Sequence, residues 1–283
     1  MEGGKESKRD QTARCWSHIV SSVLRIGMAH HAAVFSFHRW SIEVSGDADL
    51  VVGVIGGLGP EATLDFFAKV LAHSHAKVDQ DHIHLIIANN PKTPNRNDAI
   101  AGRGPSPVPA LAEMARSLER AGADFVVMAC NTAHAFESDI RAAMTKPFVS
   151  LIDEIVAEVQ RDHPGAKRVG ILATQGSRDA NIFGAAFARR NIEVVQLDAP
   201  AQAHFMTLLY RIKAGDRGAE VRDAMRQLGE QLVTMGADVL VAGCTEVPLV
   251  LQPGDNSRQL IDSTDVLAQR CVRYARRLSP LPD

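Results

Sequence analysis

Ala121-Gly122-Ala123-Asp124-Phe125-Val126-Val127-Met128-Ala129-Cys130 and Met235-Gly236-Ala237-Asp238-Val239-Leu240-Val241-Ala242-Gly243-Cys244 are two copies of one phrase. In each, Gly-Ala-Asp precedes a short apolar run, and a cysteine stands six positions after the aspartate. Short apolar runs bounded by turn formers read as buried strands. Outward from each copy the same order of elements recurs. Ahead of the first lie a strand at 50–55 ending in Gly56-Gly57-Leu58-Gly59-Pro60, and a helix from Pro60 carrying Ala62, Leu64, Phe66, Phe67 and Val70. A strand at 84–88 ending in Asn89-Asn90-Pro91 and a helix at 107–120 follow. Ahead of the second copy lie a strand at 168–172, a loop at 173–177 leading into a helix that runs to Arg190, a strand at 193–195, and helices at 202–213 and 216–235. Gly53 precedes Cys130 by 77 positions and Gly170 precedes Cys244 by 74. Strands alternating with helices imply parallel sheets, and self-similarity at this length implies two similar α/β halves. Each half then presents one cysteine at the carboxyl end of a parallel strand, the edge where open α/β sheets bind ligands.

The chain has 283 residues, 46% of them apolar and 23% charged, with a formal net charge of −2. That length suits two domains and a core that needs no staples. The charge gives no footprint for nucleic acid, and no apolar run is long enough to span a membrane. The four cysteines, Cys15, Cys130, Cys244 and Cys271, form no C-x-x-C pair, so free thiols in a reducing, cytoplasmic setting are expected. The first 48 residues differ from the rest. They hold both tryptophans, Trp16 and Trp40, and the stretch 11–42 lacks Asp and Glu but carries Arg14, Arg25 and Arg39. A disordered or targeting extension is expected at 1–48, and its composition leaves organelle targeting open. The first domain is expected at 49–150 plus 259–283, with Cys130, and the second at 151–258, with Cys244.

Each cysteine is followed by polar or turn-forming residues, Asn131-Thr132-Ala133-His134 and Thr245-Glu246, read as opening a helix. A thiol at a helix N-terminus faces backbone N–H donors, which is expected to lower its pKa toward neutrality. Two such thiols across a cleft suit inversion of a stereocentre: one, as thiolate, takes a proton from one face while the other, as thiol, delivers a proton to the opposite face. A lone strand-end cysteine is ordinarily a small buried hydrophobe. The matched placement is what points to chemistry, and a redox dithiol would use cysteines close in sequence. His134 either tunes Cys130, contacts substrate or has a structural role. Glu246 either orients Cys244 or favours the helix terminus.

Three other features carry less. The Gly53, Gly56, Gly57, Gly59 spacing is not Gly-x-Gly-x-x-Gly, and the next strand ends in Asn89-Asn90 rather than an acid, which argues against a dinucleotide. His73, His75, His82 and His84 straddle a helix end, a loop and a strand, as a solvated cluster does and a metal site does not. Cys271, among Val266, Leu267 and Val272, reads as packing.

From Leu50 to Asp283 the chain resembles the aspartate/glutamate racemase family, most closely its cofactor-independent aspartate racemases. The resemblance rests on Ile55-Gly56-Gly57-Leu58-Gly59-Pro60-Glu61-Ala62-Thr63, Asn89-Asn90-Pro91, Pro94-Asn95-Arg96, Ala129-Cys130-Asn131-Thr132-Ala133-His134, Leu172-Ala173-Thr174, Lys213-Ala214-Gly215, Ala242-Gly243-Cys244-Thr245-Glu246-Val247 and Ile261-Asp262, in family order. It implies two α/β domains related by pseudo-twofold symmetry with the active site in the cleft between them, a small-molecule amino-acid substrate, a homodimer, and neither pyridoxal phosphate nor a metal. It also implies that the C-terminal helix after Ile261 returns to the first domain. Cys130 and Cys244 fall on the catalytic pair, Asn131, Thr132 and Thr245 on substrate-holding positions, and Arg96 and Lys213 on the cations that hold carboxylates. Gly57, Leu58 and Gly59, with Asn89, Thr174 and Glu246, complete the expected substrate-binding set. Without pyridoxal phosphate, a carbanion must be stabilised by charge and hydrogen bonds in a dry site. Loop N–H groups supply donors, Arg96 a forked grip and Lys213 a point charge. The expected activity is interconversion of L- and D-aspartate. A glutamate or broad-range racemase, a decarboxylase, a cis–trans isomerase and a non-catalytic amino-acid-binding protein remain open at this point.

Overall fold

Two residue pairs, Gly53–Ala123 and Gly170–Ala237, show how the repeated phrase builds a repeated structure. In the computed structural model, which describes residues 48–282, a Cβ placed on Gly53 would meet the Ala123 Cβ at 2.9 Å and the Leu118 Cβ at 3.1 Å. One placed on Gly170 would meet the Ala237 Cβ at 2.9 Å and the Leu232 Cβ at 3.0 Å. A glycine in each strand therefore lets the covering helix and its exit turn approach the sheet closely. Gly122 and Gly236 stop those helices with φ of 99° and 97°, the left-handed conformation that favours glycine. The aspartates tie the new strand to the old one. Asp124 Oδ2 accepts the Val51 N–H at 2.8 Å, and Asp238 Oδ2 accepts those of Lys167 and Arg168 at 2.8 and 2.9 Å.

In chain order the first half comprises β1 (Val52–Gly56), α1 (Pro60–Ser74), β2 (Leu85–Asn89), α2 (Arg96–Ile100), α3 (Val108–Arg120), β3 (Phe125–Met128), α4 (Glu137–Ala142), β4 (Phe148–Val149) and α5 (Leu151–Asp162). There follow β5 (Arg168–Ile171), α6 (Gln175–Asp179), α7 (Ile182–Ala188), β6 (Glu193–Val195), α8 (Ala199–Lys213), α9 (Ala219–Thr234), β7 (Val239–Ala242), β8 (Leu260–Asp262) and α10 (Ser263–Ala275). Both sheets are parallel, ordered β2-β1-β3-β4 and β6-β5-β7-β8. This is the expected α/β class with two similar parallel-sheet halves. Every residue of β1, β3 and β7 is buried, as strands covered on both faces must be. In each sheet the strand order reverses between its two central strands, so the carboxyl ends of β1 and β3, and of β5 and β7, frame a switch-point crevice.

The structure departs from the sequence reading in places. β4 and β8 have two and three residues, too few to show a period. The helix expected to run to Arg190 is two helices, α6 and α7, broken at Asn181 with φ of 50°. α10 packs against α1, and the Leu50 N–H donates to Ala275 O at 2.7 Å. β8 pairs with β7, and α10 begins directly after it at Ser263. Asp262 caps α10, its Oδ1 accepting the Thr264 and Asp265 N–H groups at 2.8 and 3.2 Å. Cys271 is fully buried in that helix, as packing. The described residues belong to one compact unit spanning Gly46–Asp283. No helix among them is long and apolar enough to cross a membrane. The expected N-terminal extension, with Cys15, lies outside the described residues.

Candidate active site

The carboxyl ends of β1, β3, β5 and β7 converge on one cavity. It is lined by Leu58, Arg96, Asn97, Cys130, Asn131, Thr132, Thr174, Lys213, Cys244, Thr245 and Glu246. All but Asn97 belong to the set expected from sequence. Leu58 follows β1, Cys130 to Thr132 follow β3, Thr174 follows β5 and Cys244 to Glu246 follow β7, so the repeat delivers one thiol from each half. The cavity volume is about 20 Å³, room for an ordered water but not for an amino acid.

Both thiols are buried. The Cys244 S–H donates to Glu246 Oε2 at 3.0 Å. Glu246, also buried, accepts the Thr245 hydroxyl on the same oxygen at 3.3 Å and pairs through Oε1 with Lys213 Nζ. Burial pushes the Cys244 thiol up to about 12, although the Lys213 and Arg96 charges oppose the shift. This overturns the expectation of a thiol made acidic by a helix terminus. Cys244 is followed by a three-residue 3-10 turn at Val247–Leu249, and Cys130 by a five-residue one at Thr132–Phe136. A short turn sums few peptide dipoles, and for Cys244 desolvation outweighs them.

The other expected residues divide by what they touch. Arg96 ties the loop ahead of α2 to Leu58: Nη1 donates to Thr93 O and Pro94 O at 3.2 and 2.9 Å, and Nη2 donates to Leu58 O at 2.6 Å. The forked grip expected of it is thus largely engaged by backbone carbonyls, and its buried Nε–H has no partner among the described residues. Thr132, Thr174 and Ser177 form a buried hydroxyl cluster across the two halves, at 2.8, 3.0 and 3.2 Å. Asn131 Nδ2 donates to Ser263 Oγ at 3.0 Å, while its buried Oδ1 has no partner among the described residues. A Cβ on Gly59 would lie 2.5 Å from Glu246 Oε1 and 3.3 Å from Lys213 Nζ, so this glycine makes room for the charged pair.

Gly57 and Asn89 do not line the cavity. The Gly57 N–H donates to Thr63 Oγ1 at 2.9 Å, which closes the loop on itself. Asn89 is exposed at the end of edge strand β2, in register with Gly56. His134 bridges Cys130 and Leu151. Its Nε2 accepts the Leu151 N–H at 3.1 Å, which leaves the proton on Nδ1 to donate to Cys130 O at 2.8 Å. Burial holds the ring pKa below its ordinary value. In the histidine cluster, His73 Nε2 pairs with Asp265 at 2.7 Å and His75 caps α1. Asn97 is the residue that sequence reasoning missed. Its Oδ1 accepts the Gly176 N–H at 2.8 Å, from α2 to α6. It sits in a polar stretch without periodicity, and its only signal was adjacency to Arg96.

A protein-family model described as Asp/Glu/Hydantoin racemase matches residues 55–271, well over half of the chain. The broad specificity amino-acid racemase RacX of Bacillus subtilis (strain 168) is 28% identical over 226 residues, covering 78% of this chain and 96% of that protein. Among solved structures, Picrophilus torridus aspartate racemase superposes with a TM-score of 0.69 at 29% identity, covering 80% of this chain and 94% of its own. An aspartate racemase homologue from Pyrococcus horikoshii OT3 gives a TM-score of 0.64 at 25% identity, covering 80% and 98%.

Proposed function

The chain belongs to the Asp/Glu/Hydantoin racemase family, and from that premise we propose that it interconverts L- and D-aspartate by proton transfer through Cys130 and Cys244. The observation that carries this reading is that both thiols line one cavity together with Arg96 and Lys213. One sulfur, as thiolate, removes the α-proton. The electron pair left on the α-carbon spreads into the α-carboxylate, and the other thiol returns a proton on the opposite face. Cations beside that carboxylate stabilise the developing charge, the more so in a water-poor site. The unpartnered Arg96 Nε–H is a donor for it, and Asn131 Oδ1 is an acceptor for the substrate ammonium.

One observation favours a second reading, a racemase of broader amino-acid range. Lys213 is already paired with Glu246, so a distal carboxylate must compete for it, and RacX, similar over most of its length, carries a broad-specificity name.

Proton NMR of the purified protein with L-aspartate in D2O, without added pyridoxal phosphate, tests the reaction. The expected result is loss of the α-proton signal together with appearance of D-aspartate. Exchange only with other amino acids would favour the broader reading, and no exchange with any amino acid would overturn both. Cys130→Ser and Cys244→Ser should each abolish racemisation; full activity in either would overturn the two-thiol route.

A further inference from the structure

The repeat supplies its own control. Two positions after Cys244 stands Glu246; two positions after Cys130 stands Thr132. Glu246 accepts the Cys244 S–H at 3.0 Å and pairs with Lys213, whereas the Thr132 hydroxyl is held by Thr174 and Ser177. The two thiols occupy matched places in matched sheets, and only one has a carboxylate on it. Among the described residues, Cys130 Sγ makes no side-chain hydrogen bond comparable to that of Cys244.

We propose that Glu246 is a positioning residue that keeps Cys244 protonated in the resting enzyme, so that Cys244 enters the reaction as the acid and Cys130 as the base. This rests on the two-thiol reading above. The Glu246 carboxylate is surrounded by three donors, the Lys213 ammonium, the Thr245 hydroxyl and the Cys244 thiol. Beside it a second anion on Cys244 is disfavoured, because like charges in close contact in a buried site repel. Burial of the thiol acts in the same direction.

The proton inventory is then defined. The cycle begins with a proton on the Cys244 sulfur, held toward Glu246, and with the Cys130 sulfur as the acceptor. Cys130 sulfur takes the α-proton and forms an S–H bond, leaving the C–H electron pair on the α-carbon. That pair takes the Cys244 proton on the other face, and the S–H electrons stay on the Cys244 sulfur. The Cys244 thiolate so formed lies beside the Glu246 carboxylate. When the cleft opens, water returns a proton to Cys244 and accepts one from Cys130, which restores the resting form.

Removing the Glu246 charge also frees Lys213, so the Cys244 thiol should become more acidic. The full-length enzyme is treated with iodoacetamide across a range of pH, and alkylation of each cysteine is followed by peptide mass spectrometry. In the wild type at about pH 8, Cys130 should react at least about tenfold faster than Cys244. In Glu246→Gln the midpoint of the Cys244 profile should fall by about one unit or more, with a matching rise of about tenfold in its rate at that pH, while Cys130 is unmoved. In the double variant Lys213→Met, Glu246→Gln the gain should be smaller than in Glu246→Gln, since the freed ammonium supplies part of it and relief of the repulsion from Glu246 the rest. A Cys244 profile unmoved in Glu246→Gln, or a wild-type Cys244 as reactive as Cys130, would overturn the proposal. The wild-type comparison requires no variant to fold. Alkylation is read without turnover, so absent racemisation of aspartate would sink the proposed function and not this assignment, and unmoved profiles would do the reverse.

Discussion

Asn97 Oδ1 accepts the Gly176 N–H at 2.8 Å and so joins α2 of the first half to α6 of the second, beside the cavity. Gly176 permits the approach: a Cβ there would lie 2.7 Å from that same oxygen and 3.1 Å from Ile100 Cδ1. A cavity of about 20 Å³ has no room for an amino acid, so its lining must move apart to admit one, and this contact is one of those that join its two sides. Asn97→Ala removes one hydrogen bond of the closed form, worth about 1 kcal/mol, and should lower kcat/KM roughly fivefold. Hydrogen exchange at the Gly176 amide should speed up; exchange at the wild-type rate would show that the latch does not hold the cleft closed.

Gly59→Ala probes the charged pair without touching it chemically. The Gly59 φ of 169° is extended backbone that alanine adopts, so any effect comes from contact. The new methyl would press on Glu246 Oε1 and Lys213 Nζ. Racemisation is expected to fall by about tenfold or more, equivalent to about 1.4 kcal/mol, with little change in melting temperature. Activity equal to wild type would mean that the pair relocates at no cost.

Gly53→Ala and Gly170→Ala test the repeated packing. Each adds a methyl where the nearest alanine Cβ is 2.9 Å away. Overpacking of this kind typically costs about 1–3 kcal/mol. Urea unfolding midpoints should fall by similar amounts in the two variants, and Ala123→Gly should restore part of the loss in Gly53→Ala. A neutral Gly53→Ala would contradict the close approach described here.

His134 gives a stability that depends on pH. Burial lowers its pKa in the folded protein from the ordinary 6.5. Below that ordinary value the unfolded chain binds the proton more readily, so acid favours unfolding. The stabilisation is therefore present above about 6.5 and is lost as pH falls toward the folded-state value. Denaturant unfolding should show wild type losing stability between pH 7 and 5 more steeply than His134→Gln, which has no imidazole to protonate. Parallel slopes would exclude the buried neutral ring as the cause.

Much of this was legible in the sequence because the repeat couples local chemistry to packing. Gly122 and Gly236 stop helices, Ala123 and Ala237 meet strand glycines, and Asp124 and Asp238 tie strands together, so one recurring phrase announces both sheets and both thiols. What was not legible depends on tertiary sums. The Cys244 thiol is set by burial, which outweighs the local turn from which acidity was inferred. Arg96 was read as a free fork, but its reach to Leu58 O spans 38 positions. Asn89 carries a family motif yet points its position to solvent on an edge strand. β4 and β8, of two and three residues, are absent from the sequence reading, since so short a stretch gives little pattern to find.

The matched strand orders have a consequence for what an endpoint assay can see. Two enantiomers have equal free energy, so a racemase at completion leaves equal amounts of each, whatever its site looks like. The internal symmetry of the chain is broken where Glu246 stands opposite Thr132, and no such break can tilt that final ratio. It can show only in time: in which hand saturates the enzyme first and in the early course of the progress curves.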